Sequence, residues 1–467
     1  MLPAAGQESG PGLIRGLNVW HATSIVAGTI IGSGIFLVPA EMMQDAGSPA
    51  VVYLAWVVGG FLSLFGALTY AELGALRPFA GGEYVYIRDA YGPLPGFLYG
   101  WTWFLIAKPA SIATVTAGIV RVLGTFAVFS FLPRTLFALH VTENRVLVLN
   151  YGHVVAIAAT VFITAINYIG VRKAGNFQFA FTVLKVVMIV GIAFVALTAS
   201  SGSWSNFGTS YPMARGGMVG FMAALVAALW AYDGWNDLNM VSEEIQRPEK
   251  TIPVALIAGV ALVAVLYMGM NAGIQRSLPA AAIAQAAVPA SAASQAVLGH
   301  LGITLVSIGM IVSMLATLNG TVMSGGRVPF AVARDGYFFH ALGKIHPRFH
   351  TPGLALLIQA GVAMVLVVVG GAFKELFSLA IFAEWLFYCV AASTIFVFRH
   401  REPDAKRPYR TIGYPMVPAL FIGMAAVLLC YTFAINLRDS IAGSMVILLG
   451  VPVYLWFARH RQGDQPA

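Results

Sequence analysis

GTIIGSGIF, residues 28–36, sets three glycines and a serine inside the first strongly apolar stretch of the chain. Glycine inside a helix is worse than alanine by roughly 1 kcal/mol, so a span weakened at mid-depth needs a reason. The surroundings make it a membrane span. The 467 residues are 59% hydrophobic and 10% charged, against about 25% charged in an ordinary soluble domain. The deficit runs the whole length, and apolar stretches near the ~20 residues that cross a bilayer recur throughout. The alternating ~10-residue segments of a membrane β-barrel are missing. The composition therefore predicts an all-α polytopic membrane protein.

Breaks at charge and Pro/Gly clusters divide the chain into twelve apolar segments, at 17–38, 50–73, 94–126, 152–170, 177–199, 217–242, 253–274, 301–330, 354–371, 374–398, 416–437 and 441–458. With the N-terminus inside, the tails and inner loops hold 18 Lys and Arg and the outer side 7. Basic residues favour the cytoplasmic side, so both termini are expected in the cytoplasm, with the protein in the cell (inner or plasma) membrane. The net charge of +8 then needs no nucleic-acid partner. The polar start, without a basic n-region and short apolar core, does not read as a cleavable signal. Residues 77–92 read as a short amphipathic interfacial segment, and 289–299 as a short outer helix. The expected organisation is a tail at 1–16, a core at 17–398 in two halves (17–199 and 217–398), two further spans at 416–458 and a tail at 459–467.

A second interruption lies in LWAYDGWNDLN, residues 229–239, where Asp233, Gly234, Asn236 and Asp237 break the sixth segment. Carboxylates at membrane depth face a cavity or a partner. Interrupted spans at corresponding places of two halves, here one and six, point to a transporter binding site. Helix breaks free backbone N–H and C=O groups, which membranes tolerate where they line a polar cavity. Freed N–H groups at a half-helix start suit a carboxylate, and freed carbonyls suit an ammonium. A zwitterionic amino acid satisfies both. The alternative for the glycines is close helix packing.

With those two motifs, GGEYVYIRDAYGPLPGFLYGW (81–101), AKPAS (107–111), WNDLNMVSEEIQRPEKTIP (235–253) and LNGTVMSGGRVPFAVARDG (318–336) give a chain that resembles the L-type amino acid transporter family of the amino acid–polyamine–organocation superfamily. The resemblance implies a LeuT-like five-plus-five inverted repeat of twelve helices, with helices one and six broken and two helices appended. It implies alternating-access transport of amino acids, commonly sodium-independent exchange. By position, backbone at Ile31, Gly32, Ser33 and Gly34 would take the substrate carboxylate. Carbonyls of Ile30, Trp230, Ala231 and Asp233 would take the ammonium, with Trp230 as a gate and Asn236 lining the site. Lys185 would replace the sodium ion of sodium-coupled relatives, donating to carbonyls near residues 26–29 and to Ser324. This chain departs from the pattern at Asp233, at Lys108 where many members have arginine, and at Glu384, read either as a proton-titrating group or as a vestibule residue.

The other polar residues add little chemistry. The nine histidines fall in loops or near span ends, and no H-E-x-x-H occurs, so no metal or cofactor is expected. Glu243, Glu244, Arg247, Glu249 and Lys250 read either as a solvated loop or as a gate latch with Arg77 or Arg327. Cys389 and Cys430 lie within spans, and the loop at 126–152, where animal members carry a linking cysteine, has none. No disulfide-linked heavy subunit is therefore expected. The resulting reading is a sodium-independent transporter of neutral L-amino acids in the lipid bilayer, an exchanger rather than an enzyme. The alternative is a proton-coupled amino acid or polyamine symporter. A polytopic enzyme lacks a catalytic pair, and a channel lacks a filter or charged ring.

Overall fold

Two spans start on the same device. Asn18 Oδ1 accepts the His21 N–H at 3.0 Å, and His21 Nδ1 accepts the Asn18 N–H at 3.4 Å. Asn150 and His153 repeat the arrangement at 2.9 and 3.3 Å. Each is a reciprocal helix cap with histidine in the place usually held by glutamate.

The computed structural model describes residues 12–142, 145–369, 373–435 and 437–463. Much of both expected tails, 1–11 and 464–467, lies outside them. The first half contains α1 (Val19–Ile30), α2 (Gly34–Ala46), α3 (Pro49–Leu76), α4 (Glu83–Tyr91), α5 (Pro93–Thr102), α6 (Lys108–Leu123), α7 (Tyr151–Ile169) and α8 (Val171–Thr198). The second contains α9 (Gly217–Ala231), α10 (Asp237–Met240), α11 (Pro248–Ser277), α12 (Ala280–Gln285), α13 (Pro289–Leu298), α14 (His300–Gly325), α15 (Arg327–Arg334), α16 (Gly353–Val369) and α17 (Phe373–Arg401), followed by α18 (Met416–Ile435) and α19 (Leu437–Gly463). Among the described residues nine helices are long and apolar enough to cross a membrane, and α9 and α16 are shorter apolar helices. This is a mostly helical, multi-pass membrane protein.

The two interrupted spans are neighbours. The second half of the first span, α2, packs on α9, and α1 packs on α10, α8, α11 and α14. On the N-terminal side the chain adds a short parallel bridge. The Leu17 N–H donates to the Glu244 carbonyl at 3.0 Å, and the Gln246 N–H donates to the Leu17 carbonyl at 2.8 Å.

Two expectations need correction. The 77–92 segment is largely sunk into the protein: Glu83, Tyr84, Val85, Tyr86, Ile87 and Ala90 of α4 are buried, while Phe79 and Tyr91 stay exposed. The helices are also not the whole structure. Strands β1 (Thr135–Thr142) and β2 (Arg145–Asn150) pair antiparallel, with Ala138 opposite Val148. This run is too short and too interrupted by polar residues for a span, yet it is rich in β-branched and aromatic side chains. The short helix expected at 289–299 is α13.

The third span carries a π-turn, Trp103–Ala107. Pro109 has no N–H to donate, which opens the helix ladder at this point. The Lys108 N–H then reaches the Trp103 carbonyl, and its side chain turns inward.

Candidate functional site

The three glycines of GTIIGSGIF do three different things. A Cβ on Gly28 would stand 2.1 Å from Gln178 Nε2 and 2.5 Å from Thr182 Oγ1, so this glycine lets α1 press against α8. Gly32 meets only Thr317 Oγ1, at 3.7 Å, and borders open space. Gly34 faces the other break, where a Cβ would lie 3.2 Å from the Ala231 Cβ. Gly234 answers it: its φ of +105° favours glycine, and a Cβ there would lie 3.2 Å from Thr29. The packing reading is thus correct for Gly28, while Gly32 and Gly34 belong to the break.

α1 stops at Ile30, and α2 starts at Gly34. The amides that head α2 have no acceptor within their own helix. The carbonyls of α1 are taken up by side chains from three helices. Lys185 Nζ on α8 donates to Gly28 O at 2.8 Å, Ile31 O at 2.7 Å and Ser313 O at 3.2 Å. An ammonium has three protons, and here each has a carbonyl; the side chain is 1% exposed. Ser313 Oγ on α14 reaches Ile31 O at 2.7 Å, and Thr317 Oγ1 lies 3.2 Å from both Gly28 O and Ile31 O. Tyr267 OH on α11 sits 3.1 Å from Ile30 O and 2.9 Å from Ala231 O, tying together the last carbonyls of both broken helices.

Ser324 is not a partner of Lys185. Its hydroxyl donates to Thr321 O within α14. The residue that reaches the break is Ser313, eleven positions earlier. Eleven residues are three helical turns, so the face is the same and the depth differs by about 16 Å.

Beneath the second break lies a buried polar network. Lys108 Nζ is ion-paired with Asp237 Oδ1. Asn236 Nδ2 donates to Glu83 Oε1 at 2.6 Å, and Tyr99 OH donates to Glu83 Oε2 at 3.2 Å. Tyr388 OH lies 2.9 Å from Asp233 Oδ1 and 3.1 Å from Asn236 Oδ1. Asn236 is 1% exposed, with its side chain engaged by Glu83 and Tyr388. Gly32, Ser33, Asp233, Gly234, Thr317 and Glu384 are half-buried, and Trp230 beside Gly34 is 36% exposed. These residues are the partly exposed ones around the two breaks. On the N-terminal side, 235–242 are buried, and Arg327 grips Glu244 through two hydrogen bonds of 2.7 and 3.0 Å with both side chains fully buried. Of the two latch candidates it is Arg327 that engages; Arg77 pairs with Asp89 and Glu402.

Sequence reasoning missed Glu83, Tyr267, Ser313, Thr317 and Tyr388, and gave Lys108 no role. The available signal was Lys108, a lone lysine before a proline inside a span, with Asp237 as a carboxylate of matching depth.

The sequence profile of the amino acid permease family matches residues 17–458. The chain belongs to this family, in its L-type amino acid transporter branch. It is 32% identical over 454 residues to the serine/threonine exchanger SteT of Bacillus subtilis (strain 168), covering 95% of this chain and 97% of that one. It is 30% identical over 463 residues to the human cystine/glutamate transporter, covering 98% and 89%. It is 29% identical over 446 residues to the mouse Asc-type amino acid transporter 1, covering 95% and 81%. Nearly the whole permease is therefore shared with transporters of amino acids.

Proposed function

We propose that this permease is a sodium-independent exchanger of neutral L-amino acids, working by alternating access in the cell membrane with both termini cytoplasmic. The observation that carries the reading is Lys185, whose ammonium holds carbonyls of the α1 break and of α14 together. A fixed cation there supplies what a bound sodium ion supplies elsewhere. The relatives named above support exchange and an amino acid substrate.

In this reading the twelve spans form two inverted repeats, 17–199 and 217–398, with 416–458 appended. The substrate carboxylate lies against the backbone of Ile31, Gly32, Ser33 and Gly34. The ammonium lies near the carbonyls of Trp230 and Asp233, with those of Ile30 and Ala231 shared with Tyr267. Trp230 roofs the site, which favours small neutral side chains. The protein is a transporter and not an enzyme, and it works without cofactor or disulfide-linked subunit.

A second reading, a cationic amino acid or polyamine as substrate, is favoured by Asp233, a half-buried carboxylate at the second break. The test is exchange in proteoliposomes loaded with serine, with sodium replaced by choline outside. Full exchange without sodium, competed by alanine and not by lysine or putrescine, supports the neutral exchanger. Strict sodium dependence or no exchange overturns it, and competition by lysine selects the second reading.

A further inference from the structure

Four carboxyl groups among the described residues are almost wholly buried: Glu72, Glu83, Asp237 and Glu244, at 1%, 0%, 2% and 0% exposure. Three are ion-paired. Glu72 meets Arg399 and Arg407, Asp237 meets Lys108, and Glu244 meets Arg327. Glu83 differs. Among the described residues it forms no ion pair, and its two oxygens take hydrogen bonds from the neutral groups Asn236 and Tyr99. A buried ionised carboxylate without a counter-ion is strongly disfavoured, and such a group keeps its proton instead.

A second observation concerns position. Glu83 follows two glycines of positive φ, Gly81 at +98° and Gly82 at +50°. The Gly81 N–H donates to Met240 O at 2.9 Å, and a Cβ on Gly82 would lie 2.8 Å from the Asn239 carbonyl carbon. Glu83 is thus clamped onto the inner half of the sixth span. Its burial depends on that half staying in place. Moving that half away would take the Asn236 hydrogen bond from Glu83.

We propose that Glu83 is a proton-binding site, protonated while the N-terminal side is closed and releasing its proton to water on that side when it opens. The O–H bond breaks, the proton goes to water, and the carboxylate remains. Asn236 and Tyr388 link Glu83 by hydrogen bonds to Asp233, but the proposal concerns only the exchange of the Glu83 proton with water on the N-terminal side.

Burial pushes the Glu83 carboxyl up to about 7, against the opposing hydrogen bond from Asn236. The charged groups that face it are Lys108 on α6, Asp237 and Asp233 at the break, and Glu384 on α17. Lys108 is engaged by Asp237 and leaves Glu83 without a cation of its own. The phenols of Tyr70, Tyr86, Tyr99 and Tyr388 also face it. Asp233 and Glu384 are partly exposed, whereas Glu83 is 0% exposed. The sign follows. Below about 7 the neutral form holds the site closed, and above it the carboxylate favours opening, with the ionised-to-neutral ratio changing about tenfold per pH unit.

The rate test rests on the exchange reading; a spectroscopic arm does not. Exchange is measured in oriented proteoliposomes with pH varied on each side separately. The expected result is a rate that rises as pH on the N-terminal side passes about 7, and a profile that is flat in Glu83→Gln. Infrared difference spectra of the purified protein between low and high pH should show the C=O stretch of a protonated carboxyl group, absent in Glu83→Gln. A flat wild-type profile, a Glu83→Gln protein that keeps the profile, dependence on the opposite side's pH alone, or a carboxyl band that survives the substitution unchanged would each overturn the proposal. If Glu83→Gln does not fold, Glu83→Asp decides: its infrared band must move in frequency, and an unmoved band refutes the assignment.

Discussion

Gly34 and Ala231 bring the two breaks into direct contact. A Cβ added to Gly34 would lie 3.2 Å from the Ala231 Cβ, 3.3 Å from its Cα and 3.5 Å from the Trp230 ring. Gly34→Leu should therefore fill the binding space and abolish substrate binding. Ala231 is buried, so the larger side chain overpacks against it and should also destabilise by about 1–3 kcal/mol. Substrate-induced thermal stabilisation in the purified protein checks this; normal stabilisation in a well-folded variant refutes the assignment.

Gly28 and Gly32 should separate packing from binding. Gly28→Ala must displace Gln178, and overpacking of this kind typically destabilises by about 1–3 kcal/mol. Gly32→Ala has room and should leave stability unchanged while raising the KM for exchange. Denaturation midpoints and exchange kinetics of the two variants together make the comparison. Equal losses of stability would show that the glycines share one role.

Lys185→Ala leaves the carbonyls of Gly28, Ile31 and Ser313 without their shared donor. Ser313 and Thr317 still reach these carbonyls, so what is lost is the charged donor, and a hydrogen bond to a charged group contributes about 1.5–3 kcal/mol. The first span should lose its anchor and exchange should stop, in sodium and in choline alike. Undiminished exchange in folded Lys185→Ala protein would remove the basis of the sodium-independent reading.

The Arg327–Glu244 pair should behave as a latch. Removing one partner of a buried ion pair typically costs about 3–5 kcal/mol because the other charge is left alone. Arg327→Met should therefore favour the open N-terminal side, and adding Glu244→Gln should restore much of the loss. Labelling of single cysteines placed below the break reads the opening. An Arg327→Met protein as closed as its parent would make the pair a static tie.

Changing Cys389 and Cys430 to alanine together should leave exchange intact, since Cys389 makes only a weak 3.6 Å contact with Ile422 O. Loss of exchange in the folded double variant would show that a thiol is needed.

The breaks are legible in the sequence because glycine and carboxylate inside apolar runs are costly, and only a cavity or a partner offsets them. Lys185 is legible for the same reason. The partner of Lys185 is not, because Ser313 and Ser324 share a helix face and differ only in depth, which composition does not record. Glu83 is hidden more deeply. Its segment mixes charged and aromatic residues as a surface helix does, and its burial comes from contact with Asn236, 153 positions away. The β1–β2 hairpin is missed because the apolar run of a strand is weighed there only as a failed span.

The bridge between Leu17 and Ile245 has a mechanical consequence. Two peptide hydrogen bonds join the start of the first helix to the loop behind the sixth span, and Glu244 in that loop is bolted to α15 through Arg327. Three distant stretches of chain are thus sewn along one seam. Freeing any one of them means breaking a tie to another: the two peptide hydrogen bonds to Leu17 or the ion pair to Arg327.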